Sequence, residues 1–259
     1  MIIVDSIHPN YKIVLGVAHT NTYAKTSFNH VILQSGIMRR LLRTGVIFKL
    51  EFFYNYMHDA STVDISRINW RDPFFTLSTG TPTFLANNGI GDAGTTMDTN
   101  FDTDESTGSW TQSTNAGDCH IMAYMKVGGA NSSRQDLVTA DDGSRLYRLA
   151  ARTNPRTDGG CGEGVASPSI IQVGNTTSNT MYGMNKHDNG VDFTRSAIVN
   201  GSMSTIVTGA QGTLPSSTVL VGLNMISGRY VGAVSGGLAL TSQEWSELND
   251  IIQYLSSNL

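Results

Sequence analysis

The chain has 259 residues, a formal net charge of −4 and 15% charged residues, against about 25% in an average soluble domain. Its 28 Thr, 26 Ser and 19 Asn, with 27 Gly and 6 Pro, give a polar, turn-rich chain with little charge. Scattered Lys and Arg lack the basic stripe of a nucleic-acid-binding protein, and no apolar run reaches the roughly 18 residues of a membrane-spanning helix. Two cysteines do not make a disulfide scaffold, and regularly recurring apolar segments argue against disorder.

The first 32 residues stand apart. Met1–Val4 and Lys12–Val17 are short apolar runs predicted as strands, separated by polar residues such as His8-Pro9-Asn10. Two readings stay open. They lead into the domain, or they form an arm that docks on another subunit, since an unpaired strand edge templates a further chain. No basic stretch or small-residue cleavage site follows Met1, so no secretory signal is expected.

Residues 33–68 read as a helical lead-in. Leu33, Ile37, Leu41 and Leu42 suit one helix face, and Gly45 is placed to cap it. Arg39, Arg40 and Arg43 lie between them and read as a solvated face rather than a phosphate site. Val46–Tyr54 fits a second helix or a strand.

From residue 69 the pattern turns to β. Predicted strands are Thr83–Leu85, Cys119–Val127, Asp136–Thr139, Arg145–Ala151, Ser169–Val173, Thr180–Lys186, Val191–Val199, Val219–Leu223 and Arg229–Ser235. His120–Val127 is apolar on both alternating sets and should have neighbours on both faces. Asn88-Gly89, Asp142-Gly143, Asp158-Gly159-Gly160, Asn189-Gly190, Asn200-Gly201 and Ser227-Gly228 read as turns, because such pairs tolerate positive φ. Strands at this spacing indicate a sandwich or barrel. The chain closes on a helix opened by the capping box Thr241-Ser242-Gln243-Glu244. Trp245, Leu248, Ile251, Ile252 and Leu255 form its apolar stripe, which should pack across the sandwich.

Catalytic motifs are sparse. The five glutamates, Glu51, Glu105, Glu163, Glu244 and Glu247, form no strand-borne pair of the kind glycoside hydrolysis uses. There is no Gly-x-Ser-x-Gly elbow, His-Glu-x-x-His site or phosphate loop, although residue types alone leave a Ser-His-Asp site open. The acidic loop with Asp98, Asp102 and Asp104 is the best calcium candidate, since clustered carboxylates supply oxygen ligands. A plain solvated loop is the alternative, and otherwise no cofactor is expected. Cys119 and Cys161 are expected as free thiols, with Cys161 in a glycine-rich turn. Trp110, Tyr147, Tyr182 and Asn185 have the chemistry of sugar contacts, although aromatic residues in strands also build cores.

From about residue 37 onward the ordered pieces resemble a group of bacteriophage structural proteins with a concanavalin A-like (LamG-type) jelly roll. The resemblance is carried by Thr44-Gly45-Val46-Ile47-Phe48-Lys49-Leu50, Ile68-Asn69-Trp70-Arg71-Asp72-Pro73, Pro82-Thr83-Phe84 with Asn88-Gly89-Ile90, Asp192-Phe193-Thr194-Arg195 with Asn200-Gly201, and Val219–Asn224 before the capped helix. In the segment Thr95–Phe101, Thr96 and Met97 stand where the family has tyrosine and leucine. The resemblance implies a mainly β protein: a concanavalin A-like jelly-roll sandwich over residues 69–259, with an N-terminal helical segment and a C-terminal amphipathic helix. It implies a non-enzymatic virion protein of tail, fibre or head decoration, with a lectin-like domain for host-surface glycan adhesion. The partners it implies are other virion proteins, further copies of the chain and host surface polysaccharide, with no nucleic acid and no membrane insertion. A glycan-active hydrolase or lyase on the same fold and a purely structural lattice protein are the alternatives.

Overall fold

The computed structural model describes residues 7–74, 82–91, 97–103, 118–128, 135–152, 156–164, 171–174, 177–188, 193–209, 217–223, 225 and 228–259. Met1–Val4, Trp110 and Asp104 lie outside the described residues, as does Asn189-Gly190.

The N-terminal segment is helical. Helix α1 runs Pro9–Thr20. Proline early in the first turn fits, because its missing N–H would be unbonded there anyway, and the Nδ1 of His8 accepts from the Asn10 amide at 3.3 Å. The strand expected over Lys12–Val17 is therefore corrected. Tyr11, Val14 and Ala18, three and four residues apart, are the buried positions, and that is a helical period rather than the strand period of two. Helix α2 covers Phe28–Thr44, opens on the Ser27 side chain and ends at Gly45 with φ 79°, a left-handed cap that glycine adopts without steric cost. A short 3-10 turn, Val46–Lys49, leads into strand β1, Leu50–Asn55, so the ambiguous Val46–Tyr54 stretch is half turn, half strand.

The remaining strands are β2 (Thr83–Leu85), β3 (Gly89–Gly91), β4 (Met97–Asp102), β5 (Cys119–Val127), β6 (Gln135–Asp141), β7 (Arg145–Arg152), β8 (Arg156–Gly164), β9 (Ile171–Gly174), β10 (Thr180–Asp188), β11 (Phe193–Val199), β12 (Ser202–Gly209), β13 (Thr218–Leu223) and β14 (Tyr230–Gly237). Helix α3, Ser242–Ser257, closes the chain. One sheet has the order β12-β11-β10-β5-β14-β3-β2, with β1 also paired to β14; the other has the order β4-β13-β6-β7-β8-β9. The described pairings are antiparallel. This is a mainly β sandwich of jelly-roll type, with a layer of helices over the outer face of the larger sheet.

Strand β5 shows how the layers share the chain. Ile121, Ala123 and Met125 enter the core between the sheets, while Met122 and Tyr124 enter the core beneath the helices. Buried on both faces from Ile121 to Met125, the strand needs an apolar body at each of these positions, which its sequence supplies.

Asp158-Gly159-Gly160, expected as a turn, lies within β8. The glycine serves packing here: a Cβ on Gly159 would sit 2.1 Å from Met184 Cγ of the facing sheet. Cys161 is likewise in β8 rather than in a turn, and Cys119 is a buried free thiol.

Residues 7–32 pack against their own chain. Tyr11 lies 5.3 Å from Trp70, ring centre to ring centre, its hydroxyl donates to Gln34 Oε1, and the His8 amide donates to Ser35 Oγ at 2.7 Å. Tyr11, Val14 and Ala18 are thus covered from within the chain, while Ile13 and Phe28 stay exposed.

Candidate functional site

Helices α2 and α3 lie side by side and leave a cleft of about 530 Å³ between them, lined by Ile32, Leu33, Gly36, Arg39, Arg40, Arg43 and Tyr254. The α2 contributors recur at three- and four-residue steps, so they form one face of that helix. Arg39 and Arg43 are exposed and Arg40 is half-buried. The Arg40 guanidinium carbon sits 3.9 Å from the centre of the Tyr254 ring, within the range of a cation–π contact. Tyr254 remains 40% exposed. A Cβ on Gly36 would meet nothing within 4 Å, so the floor of the cleft is open there.

The position of Tyr254 follows from the way α3 docks. Thr241 and Glu244 complete the expected capping box. Lys49 Nζ meets Glu244 Oε2 at 2.7 Å, tying the helix start to the end of the 3-10 turn. Burial favours the neutral Glu244 carboxyl, but the Lys49 contact and the hydrogen bonds from Thr241 outweigh it and hold its pKa below the usual value. At the other end Tyr124 donates to Ser256 Oγ at 2.8 Å, and Lys126 Nζ donates to the Ser256 carbonyl at 3.0 Å. Anchored at both ends, α3 presents Tyr254 at the flank of its buried stripe, toward α2.

Among the described residues, no carboxylate lines this cleft. Guanidinium groups offer planar, paired donors suited to carboxylate, sulfate or phosphate oxygens. An exposed aromatic ring beside them offers an apolar surface. The pairing suits a ligand carrying both an anionic group and a stackable apolar face.

The residues singled out from sequence fall elsewhere. Tyr147 is fully buried between the sheets and donates its hydroxyl proton to the His120 carbonyl. Tyr182 is also fully buried, its hydroxyl oxygen accepting from the Thr177 amide at 2.7 Å. Asn185 is 4% exposed, and its side-chain oxygen accepts from the Leu240 amide at 2.8 Å. These three are core and connector residues, correcting their reading as sugar contacts: alternation along the strands turns both rings inward. Asp98 is half-buried and accepts from Thr218 Oγ1 at 3.2 Å. Asp102 ends strand β4. Among the described residues no group of three His, Cys, Asp or Glu side chains is disposed to hold a metal ion.

No family model and no curated protein matches the chain. Solved structures do. The botulinum neurotoxin serotype D binding domain aligns at TM-score 0.51 and 7% identity, over 80% of this chain and 52% of that one. The botulinum neurotoxin type G receptor binding domain aligns at 0.50 and 9%, over 79% and 51%. Trypanosoma rangeli sialidase in complex with sialic acid aligns at 0.51 and 15%, over 88% and 39%. The chain thus spans about half of the toxin domains' length and two fifths of the sialidase's. At these identities the likeness establishes the β-sandwich fold and nothing finer.

A second constellation resembles a nucleophile dyad. His58 Nε2 is 2.6 Å from Ser66 Oγ, yet both residues are only 1% exposed. Burial, with His30 nearby, pushes the His58 pKa down to about 3, so the ring is neutral. Its Nδ1 accepts from the Ala60 amide at 3.3 Å. The proton therefore sits on Nε2 and is donated to Ser66, the reverse of what a base activating a hydroxyl must do. The neighbouring Asp59 faces His30 instead, at 3.8 Å. The pair is structural.

Arg39 and Arg43 of the triplet face solvent, as a solvated helix face requires, and all three line the cleft. Tyr254 stands beside the apolar stripe without belonging to it, and an aromatic residue off the stripe of an amphipathic helix is the feature that could have drawn attention.

Proposed function

We propose that the chain is a non-catalytic virion protein of a bacteriophage whose lectin-like domain binds acidic glycans of the host surface in the cleft between α2 and α3. The observation that carries the glycan reading is the combination of Arg39, Arg40 and Arg43 with the exposed Tyr254 ring in one open cleft. Arginine supplies paired donors for a sugar carboxylate or sulfate, and the ring can lie against the apolar face of a pyranose.

Two further points support the reading. The fold is shared with Trypanosoma rangeli sialidase in complex with sialic acid, and with botulinum neurotoxin type C, whose cell entry depends on interaction with two ganglioside molecules. The virion assignment, with other virion proteins and further copies of the chain as partners, rests on the ordered resemblance over residues 37–259. The non-catalytic assignment is supported by the reversed polarity of the His58–Ser66 pair and by the carboxylate-free lining of the cleft.

The test is an array of carboxylated, sulfated and neutral oligosaccharides probed with the purified chain. Retention on the charged members, and loss of that retention in Tyr254→Ala, supports the reading. Equal retention on neutral members contradicts it. Antibody labelling of phage particles from the parent host tests the virion assignment separately.

A further inference from the structure

Six of the chain's 17 Lys and Arg, and none of its 21 Asp and Glu, fall within residues 7–49. All of the acids therefore belong to the rest of the chain. The acid-free run folds into α1, α2 and the 3-10 turn Val46–Lys49, so these elements are the cationic part of an acidic protein, and such a face attracts anions beyond direct contact. Lys49 is taken up by Glu244. Lys12, Lys25, Arg39 and Arg43 are exposed, and Arg40 is half-buried.

These cations extend past the cleft. Helix α2 has 17 residues and is about 25 Å long at 1.5 Å per residue. Arg43 stands in its last turn and Lys25 just before its first residue, so the two mark opposite ends. Helix α1 is tied to the middle of α2, where the Tyr11 hydroxyl donates to Gln34 Oε1 and the His8 amide to Ser35 Oγ, and Lys12 follows Tyr11 directly. On this side the bordering acids are engaged: Asp59 accepts from the Ser27 amide at 3.0 Å, and Asp64 pairs with Arg67 at 3.4 Å. The other flank is acidic. Helix α3 contains Glu244, Glu247 and Asp250 and no Lys or Arg, and Asp250, one turn before Tyr254, is exposed. A long anionic chain seated in the cleft gains attraction by running along α2 toward α1 and meets repulsion by crossing α3.

We propose that the ligand of the cleft is a polysaccharide charged along its length, which leaves the cleft along α2 and meets Lys12 and Lys25, rather than a single acidic sugar at a chain end. This rests on the acidic-glycan reading of the cleft and adds two binding residues outside it. Arg39, Arg40 and Arg43 hold one segment of the chain, and Lys12 and Lys25 hold segments that a short oligosaccharide seated among the arginines does not reach.

Calorimetric titration of the full chain with trigalacturonate and with a galacturonate oligomer several times longer, each over a range of salt concentrations, tests this. Affinity for the long chain should fall more steeply with salt than affinity for the trimer, because more charge pairs are broken. The double variant Lys12→Gln/Lys25→Gln should weaken the long chain at least fivefold, bring its salt dependence toward that of the trimer, and leave trimer affinity unchanged. Arg43→Ala should weaken both ligands. Both lysines are exposed, so the double variant is expected to fold. Trimer and long chain with equal salt dependence, or long-chain affinity that survives the double variant, overturns the proposal and leaves the acidic-glycan reading standing. No binding of either ligand overturns both. Tighter binding of single-stranded DNA of equal charge assigns the face to nucleic acid and overturns the proposal.

Discussion

The indole of Trp245 lies directly against the backbone of Gly183: a Cβ built on that glycine would come within 2.5 Å of the ring's Cη2. Trp245 is fully buried and meets the His120 ring edge-on at 5.4 Å. The glycine in the middle of β10 is thus the seat of α3. Trp245→Ala should cost about 3–5 kcal/mol, and Gly183→Leu should be destabilising because the added side chain and the indole claim the same space. Urea denaturation of both variants checks this, and wild-type midpoints would show that α3 does not depend on the contact.

The α1 segment belongs to the fold. Tyr11 is fully buried, packs on Trp70 and bonds to Gln34. Tyr11→Ala should cost about 3–5 kcal/mol, as for other large aromatic truncations. Tyr11→Phe should cost about 1–3 kcal/mol, because Gln34 loses a buried partner. Deleting residues 1–27 should lower the denaturation midpoint clearly. An unchanged midpoint would return these residues to the role of a detachable arm.

Most of the β framework was legible in the sequence, and the reasons are local. Strand β5 is legible because Ile121–Met125 is continuously apolar and its flanks are polar. The Thr241–Glu244 box and the stripe from Trp245 to Leu255 specified α3 in the same way. Strand β8 is not legible because Asp158-Gly159-Gly160 carries turn chemistry, while the glycine is required by Met184 across the core and by Leu149 on the paired strand β7. That requirement is tertiary and leaves no mark on the neighbouring residues. Helix α1 reads locally as a strand because Ile13-Val14-Leu15 is apolar with two β-branched residues, and its helical period appears only when Tyr11, Val14 and Ala18 are read together. The cleft needed two helices 200 residues apart in sequence to be brought side by side.

Acid should destabilise the protein before its carboxylates protonate. Burial pushes His120 down to about 4 and His58 down to about 3, from about 6.5 in the unfolded chain. Between those values the unfolded state binds protons that the folded state refuses, so stability falls as pH drops from about 6.5 toward 4. For His120 alone the full loss is on the order of 3 kcal/mol. Glu244 adds to it at lower pH. Its folded pKa lies below the unfolded one, so its contribution is complete above the unfolded value and disappears as pH falls through the folded value. Denaturation midpoints from pH 7 to 4 should decline, with a shallower decline in His120→Gln. A flat profile would contradict the neutral, buried assignment of these rings.

Incubation with acidic or neutral host polysaccharide should release no reducing ends. Release by the purified chain, abolished by one Asp or Glu substitution, would make it a glycan-active enzyme.

The central claim is that the α2/α3 cleft recognises an acidic sugar through its arginines and the Tyr254 ring. Calorimetric titration with a uronic-acid oligosaccharide and a neutral oligosaccharide of equal length tests it most directly. The account expects saturable binding of the charged ligand alone, weakening as salt rises because exposed charges are screened. It further expects at least a tenfold loss in Arg43→Ala and in Tyr254→Ala, with denaturation midpoints near wild type. Equal binding of the neutral oligosaccharide, or affinity for the charged one that survives both substitutions, would contradict it.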